Sequence, residues 1–185
     1  MGNLEVLVDL LRDGKVILHP TDTIWGLACD AHNIKAVERL TSIKERLPGK
    51  SYIVLVNSYD MLQEYITYIP PKARNLIDYF ERPITIIYQQ PKNLVSNILA
   101  DDGSIAIRVV KDEYCRLLIQ KLGHPIVSSS ANLSGHPFPV RYEDIDDALI
   151  QRVDGVSDVR IDFEGMNPSM IVKVVDNQEL EIIRK

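Results

Sequence analysis

Strand-length apolar runs, bounded by turn residues and separated by stretches of helical spacing, constrain the fold of this chain most. Val16-Ile-Leu-His19, Tyr52-Ile-Val-Leu-Val56, Ile84 to Gln89, Ile105 to Val110 and Ile126 to Ser129 are too short for helices and rich in β-branched residues, so they read as buried strands. Leu4, Leu7, Val8 and Leu11 recur near helical spacing behind a capping Asn3, with Gly14 to close the helix. Ile34, Val37, Leu40 and Ile43 line a second helix opened by Asn33 and stopped by Pro48-Gly49. Ser58 to Ile66 and Pro71 to Phe80 predict two more, and Asp112 and Gly123 bracket a fifth. Residues 20–30 read as a loop, Glu143 to Gln151 as a helix, and Val156 to Ile161, Met170 to Val175 and Glu181 to Arg184 as closing strands. Helices alternate with strands early and strands cluster late, which predicts an α/β fold with a twisted mixed sheet flanked by helices. With 185 residues, 45% of them hydrophobic, one core spanning 1–185 is expected rather than two domains.

A net charge of −5 argues against wholesale coating of nucleic acid or an anionic membrane, since both are held by summed positive charge. The charge is segregated, however. Lys35, Arg39, Lys44, Arg46 and Lys50 face only Glu38 and Glu45 in that stretch, whereas Glu143 to Glu164 is strongly acidic. That acidic stretch lacks the alternating spacing and central glycine of a calcium loop. The amino-terminal apolar stretch carries acids and no basic leader, so neither a signal peptide nor a membrane span is expected there. Two cysteines, Cys29 and Cys115, make no disulfide framework and fit a reducing cytoplasm.

Three loops concentrate hydroxyls and cations where apolar runs begin or end: His19-Pro-Thr-Asp-Thr-Ile-Trp-Gly26, Lys44-Glu-Arg-Leu-Pro-Gly-Lys-Ser51 and Ser128-Ser-Ser-Ala-Asn-Leu-Ser-Gly135. Together they point to an anion site, a nucleotide above all. Gly49-Lys50-Ser51 imitates the end of a phosphate-binding P-loop, but Lys44 stands where the first glycine belongs, and a helix precedes where a strand is required. Lys44 and Arg46 lie about 200° apart on a continuing helix, so serving one ligand requires the helix to end there and Arg46 and Lys50 to curl back. Alternatively these cations are a solvated last turn complementing the helix dipole. Asp22 would hold turn amides, Trp25 is either core or a flat ligand wall, and the hydroxyls of Ser128 to Ser130 need partners if buried. No GxSxG or HExxH occurs. Cys29 and His32 have a ligand-like gap without a second pair, so no metal site is expected.

In this order the residues resemble the Sua5/YrdC/YciO family of threonylcarbamoyl-AMP synthases, over nearly the whole chain. Pro20-Thr-Asp-Thr-Ile-Trp-Gly-Leu27 matches the family's PTDTxYGL, Lys44-Glu-Arg46 its KxR, and Ser130-Ala-Asn132 its SxN. Ile105-Ala-Ile-Arg-Val109, Ser169 and Arg184 match the IxVRV-like strand, the late serine and the final arginine. The resemblance implies a YrdC-like domain with a concave, locally basic groove. It also implies a reaction in which L-threonine, bicarbonate and ATP give threonylcarbamoyl-AMP and pyrophosphate for modification of adenosine 37 in tRNA. Charge then builds on phosphate oxygens, which calls for fixed cations rather than a covalent nucleophile.

By the same resemblance, Lys44, Arg46 and Lys50 would take the phosphates and the carboxylated intermediate, with Mg2+ bridging phosphate oxygens. Thr23, Ser128, Arg108 and Ser169 would hold threonine, and Ser104, Ser130, Asn132 and Arg184 the ATP side. A downstream tRNA threonylcarbamoyl transferase complex would accept the product, and direct tRNA contact is a further implied partnership. Trp25 replaces the usual tyrosine, Glu81-Arg-Pro-Ile-Thr85 stands for PGPxT, and Phe138 and Met170 stand for a serine and a threonine. Two other readings are a carbamoyl-AMP-forming enzyme, whose relatives carry acylphosphatase and zinc-finger segments, and an RNA-binding module.

Overall fold

Alternation along the strands sorts the side chains onto two faces of a twisted sheet in the computed structural model, which describes residues 2–46, 51–163, 167–175 and 179–185. In chain order the elements are α1 (Leu4–Arg12), β1 (Ile17–Pro20), β2 (Trp25–Asp30), α2 (Ile34–Ile43), β3 (Ile53–Val56), α3 (Tyr59–Tyr65), α4 (Pro71–Tyr79) and β4 (Ile84–Tyr88). They continue with β5 (Ile105–Val109), α5 (Glu113–Leu122), β6 (Ile126–Ser130), α6 (Asp147–Ile150), β7 (Gly155–Val156), β8 (Met170–Val174) and β9 (Leu180–Arg184). Among the described residues the sheet order is β7-β1-β2-β6-β3-β5-β4-β8-β9, with parallel pairs β1/β7, β3/β5 and β4/β8 and antiparallel pairs elsewhere. No helix among the described residues is long and apolar enough to cross a membrane.

One face buries Ile17, Ala28, Leu55 and Ile126 under α1 and α5, which contribute Leu4, Leu7, Val8, Leu11, Leu118, Ile119 and Leu122. Each fully buried leucine there contributes about 2 kcal/mol by removal from water. The other face packs Leu18, Trp25, Leu27, Val54, Val56 and Ile107 against Ala36, Val37, Leu40 and Ile43 of α2. Caps confirm several helix starts: Asn33, Ser58 and Asp112 accept the amides of Ala36, Met61 and Cys115. Gly123 ends α5 at φ 82°, a conformation costly for other residues. Asn3 sits at the start of α1 but donates its amide group to Val156 O (2.8 Å) and accepts the Asp158 amide on Oδ1 (3.2 Å), tying the helix to β7 instead of capping it.

Three expectations are corrected. The loop expected at 20–30 shrinks to a tight turn, because Trp25–Asp30 forms β2, paired with both β1 and β6. Its six residues are all buried, so a central strand covered on both faces showed no polar alternation to read. The helix expected over 143–151 is a 3-10 turn (Tyr142–Asp144) and the single turn α6, restarted where Asp146 accepts the Ala148 amide. Of the strand expected at 156–161 only Gly155–Val156 pairs, since Ser157 Oγ takes the Val159 amide and turns the chain.

His19 lies on β1 beneath α5, fully buried, with Nδ1 4.0 Å from Cys115 Sγ and Nε2 without a hydrogen-bond partner among the described residues. Burial, then the Arg108 charge, lower its pKa to about 4. The unfolded chain takes up a proton below its ordinary 6.5 that the folded protein refuses. Stability is therefore complete above that value and falls as pH drops toward about 4, by roughly 3 kcal/mol. Urea unfolding from pH 7 to pH 4 is expected to show this loss, and His19→Gln, which cannot titrate, should flatten that part of the profile. An unchanged slope in the variant would remove His19 as its cause.

Candidate active site

The turn between β1 and β2 is organised by Thr21, whose hydroxyl donates to Ile24 O (2.8 Å) and accepts the Thr23 and Ile24 amides (3.1 and 3.2 Å). Thr21, not Asp22, therefore serves the turn amides. Asp22 pairs instead with Arg108 across the sheet, its Oδ1 3.1 Å from a guanidinium nitrogen, with both side chains almost fully buried. A second guanidinium nitrogen donates to Thr23 Oγ1 at 3.1 Å, while Nε is buried without a hydrogen-bond partner among the described residues. The two threonine hydroxyls meet at 3.0 Å, a contact in which either oxygen can donate. The result is a fixed Asp–Arg–Thr–Thr chain at the head of the two strands.

Strand pairing supplies the floor. Ser128, Ile53, Ala106 and Ile87, which border the cavity described below, are consecutive partners across four strands. They share the face buried by α1 and α5, and beyond those helices the same face opens into a cavity of about 340 Å³. Thr23, Arg46, Arg108, Ser128, Ser130, Ser169 and Arg184 all border it. Gly26 is required by close approach: a Cβ there would lie 3.0 Å from Ser128 Oγ.

The cations differ in placement. α2 ends at Ile43, Lys44 is its cap residue, and Glu45 takes φ 50°, which redirects the chain. Arg46 then lies over the Tyr52 ring at 4.6 Å and donates to Ser51 O at 2.7 Å, with its guanidinium bordering the cavity. Lys44 is buried and its ammonium donates to Ser130 O and to Asn132 O (2.7 Å), stitching α2 to the loop after β6. Burial, then Arg46, lower its pKa to about 8. Arg184 is anchored by two bonds to Ser169 O (3.2 and 2.8 Å), and Ser169 Oγ meets Thr85 Oγ1 at 2.7 Å. Burial, then the Arg108 charge, also lower the Arg184 pKa, a repulsion that an anion between the two would relieve.

Seven predicted site residues thus share one cavity, and three others do not line it. Lys44 stands behind the Ser130 carbonyl. Asn132 borders the neighbouring cavity with His136 and Phe138, its amide donating to Leu133 O and His136 O and its Oδ1 buried. Ser104 is buried just before β5, its hydroxyl donating to Asp102 Oδ1 at 2.5 Å. Lys50 lies outside the described residues. Trp25 is core and wall together: fully buried, it donates Nε1–H to Ile161 O (3.1 Å) and still borders the cavity. Thr21, Ser51, Tyr52 and Ser129 were missed as lining residues, although each sits within or beside a loop singled out by its hydroxyls.

A mixed α/β sheet whose strand-end hydroxyls and three guanidiniums surround one cavity defines a domain of the anion- and nucleotide-binding class. Comparison with known proteins narrows the class. A family model described as "Telomere recombination" matches residues 9–185, and the chain belongs to this Sua5/YciO/YrdC family. The threonylcarbamoyl-AMP synthase of Pseudoalteromonas translucida is 37% identical over 137 residues, 72% of this chain and 73% of that one. Two solved structures share the fold. P. abyssi Sua5 complexed with L-threonine matches at TM-score 0.89 and 23% identity, over 98% of this chain and 53% of the other. E. coli YciO matches at TM-score 0.85 and 24% identity, over 98% of this chain and 88% of the other. The chain spans about half the length of the Sua5 structure.

Proposed function

We propose that residues 1–185 form a single YrdC-like domain acting in the cytoplasm as an L-threonylcarbamoyladenylate synthase, a nucleotidyltransferase that joins L-threonine, bicarbonate and ATP. The observation that carries this reading is the cavity bordered by Arg46, Arg108 and Arg184 together with the hydroxyls of Thr23, Ser128 and Ser130. Arg108, held by Asp22, offers a buried guanidinium to the threonine carboxylate, and Thr23 and Ser128 supply hydrogen bonds beside it. Threonine's amine condenses with bicarbonate, releasing water and leaving a carbamate. A carbamate oxygen attacks the ATP α-phosphorus, a new O–P bond forms, and the bond to the β-phosphate breaks to release pyrophosphate.

Arg46 and Arg184 then face the charge that builds on the phosphate oxygens, and Lys44, Ser104 and Asn132 support the nucleotide side of the groove. An arriving polyphosphate would restore full charge to Lys44. Asp22 is committed to Arg108, so the cavity offers hydroxyls rather than carboxylates to a metal. Such a site fits Mg2+ carried in by ATP, beside which Ser128 and Ser130 would supply hydroxyls. When bound, the ion neutralises phosphate charge. The product is a mixed anhydride that a tRNA threonylcarbamoyl transferase complex would consume. Purified protein with ATP and Mg2+ is expected to release pyrophosphate only when L-threonine and bicarbonate are both present. Release independent of threonine, or none from protein that binds ATP, would count against the synthase.

A further inference from the structure

At the opposite end of β2 from this cavity, Asp30, His32 and His124 bring one ligand atom each to within 4.8 Å of one another. We propose that these three side chains form a site for a late first-row divalent cation, Zn2+ above all, that clasps the β2–α2 turn to the α5–β6 turn. Two imidazoles and one carboxylate are the donor set that such cations select, and water would complete the coordination.

The geometry comes from the turns themselves. Asp30 ends β2 beside Ile126, the first residue of β6, and the Ala31 amide donates to Pro125 O at 3.1 Å, so the two turns are already side by side. Asp30 Oδ1 accepts the His32 amide (2.8 Å), which folds His32 back over the carboxylate and leaves Oδ2 for His124 Nδ1, 3.2 Å away. Adjacent ligand atoms around a tetrahedral Zn2+ with bonds of about 2.0 Å are separated by about 3.3 Å, so this edge has the right length. The His32 and His124 rings lie 4.5 Å apart at 36°, and the ligand atom of exposed His32 is within 4.8 Å of those of Asp30 and His124. Cys29, the residue whose spacing from His32 first drew attention, takes no part. It alternates to the other face of β2, buried, and burial pushes its thiol pKa up.

The site is separate from the cation that accompanies ATP. Four residue steps of extended strand, about 13 Å, separate Asp30 from Gly26 at the cavity. Its effect would be on the framework: a cation bound only by the folded state stabilises it by mass action.

The test uses the metal-stripped full chain and Zn2+ alone, followed by calorimetry, with Co2+ as a spectroscopic substitute. One equivalent of Zn2+ is expected to bind and to raise the unfolding midpoint by roughly 5 °C at saturating concentration. His32→Ala and His124→Ala should each weaken binding at least ten- to hundredfold, the loss that follows from removing even an outer-sphere partner of a bound metal. Both should also lose the visible absorption of a four-coordinate Co2+ complex, whereas His136→Ala keeps binding and absorption. Because His32 is exposed and His124 partly so, the variants should unfold like the metal-free parent. Unchanged Zn2+ affinity in both histidine variants, loss in His136→Ala instead, absence of stoichiometric binding, or equal competition by Mg2+ would each overturn the proposal.

Discussion

Exchanging Arg108 for methionine is expected to lower the unfolding midpoint by roughly 10 °C and to abolish threonine-dependent pyrophosphate release. The stability loss arises because the Arg108 and Asp22 side chains are only 5% and 6% exposed, so removing one leaves a buried, uncompensated charge. That costs about 3–5 kcal/mol, and each kcal/mol moves the midpoint of a chain this size by about 2–4 °C. Activity fails for a different reason: the guanidinium that would receive the threonine carboxylate is missing. The double variant Asp22→Asn/Arg108→Met separates the two causes. It should recover most of the stability, since a neutral pair need not be compensated, and none of the activity. Thermal melts and the pyrophosphate assay, run side by side on the three proteins, decide the matter. A stable and active Arg108→Met would place the substrate elsewhere.

Arg46→Ala should leave the fold intact and lower turnover by about 10²–10³, the effect of deleting one fixed group that faces developing charge. Its structural ties include a bond to Ser51 O and the Tyr52 stack, each worth about 1 kcal/mol at a partly exposed site. The loss should appear equally in kcat and in kcat/KM for ATP, with KM for threonine unchanged, because the interaction belongs to the phosphoryl transition state. Arg46→Lys should recover only part of it, since an ammonium cannot reproduce the planar stack. Threonine-dependent turnover that survives Arg46→Ala at the parental rate would remove this residue from the chemistry.

The parts of the fold legible in the sequence are those with a one-residue cause. Asn33, Ser58 and Asp112 marked helix starts through side chains that do accept the expected amides, and Gly123 marked an end through its left-handed backbone. β2 was illegible because burial on both faces erases alternation, and Gly26, whose bare Cα admits Ser128, resembled a loop residue. Site chemistry divides similarly. Hydroxyls and cations near strand ends were visible as types, and seven of the named residues do meet at one cavity. Their partners were not visible: pairing of Asp22 with Arg108 depends on β1, β2 and β5 standing in one sheet, which no local pattern specifies. Lys44 shows the same limit, since its burial behind the Ser130 carbonyl is fixed by the loop after β6 and not by its place at the end of α2.

The row Ser128–Ile53–Ala106–Ile87 floors the cavity with backbone that is hydrogen-bonded from both sides. Amides beneath such a surface exchange only through large-scale opening, so the floor is the most persistent part of the molecule rather than its most adaptable. A substrate that lands there meets a surface already shaped, and little conformational freedom is forfeited on contact. With threonine seated there as proposed, discrimination against a near neighbour would come from how rigidly small side chains such as Ala106 and Ser128 refuse to yield. Rigidity of the central strands and choice of substrate would then be one property of the same four residues.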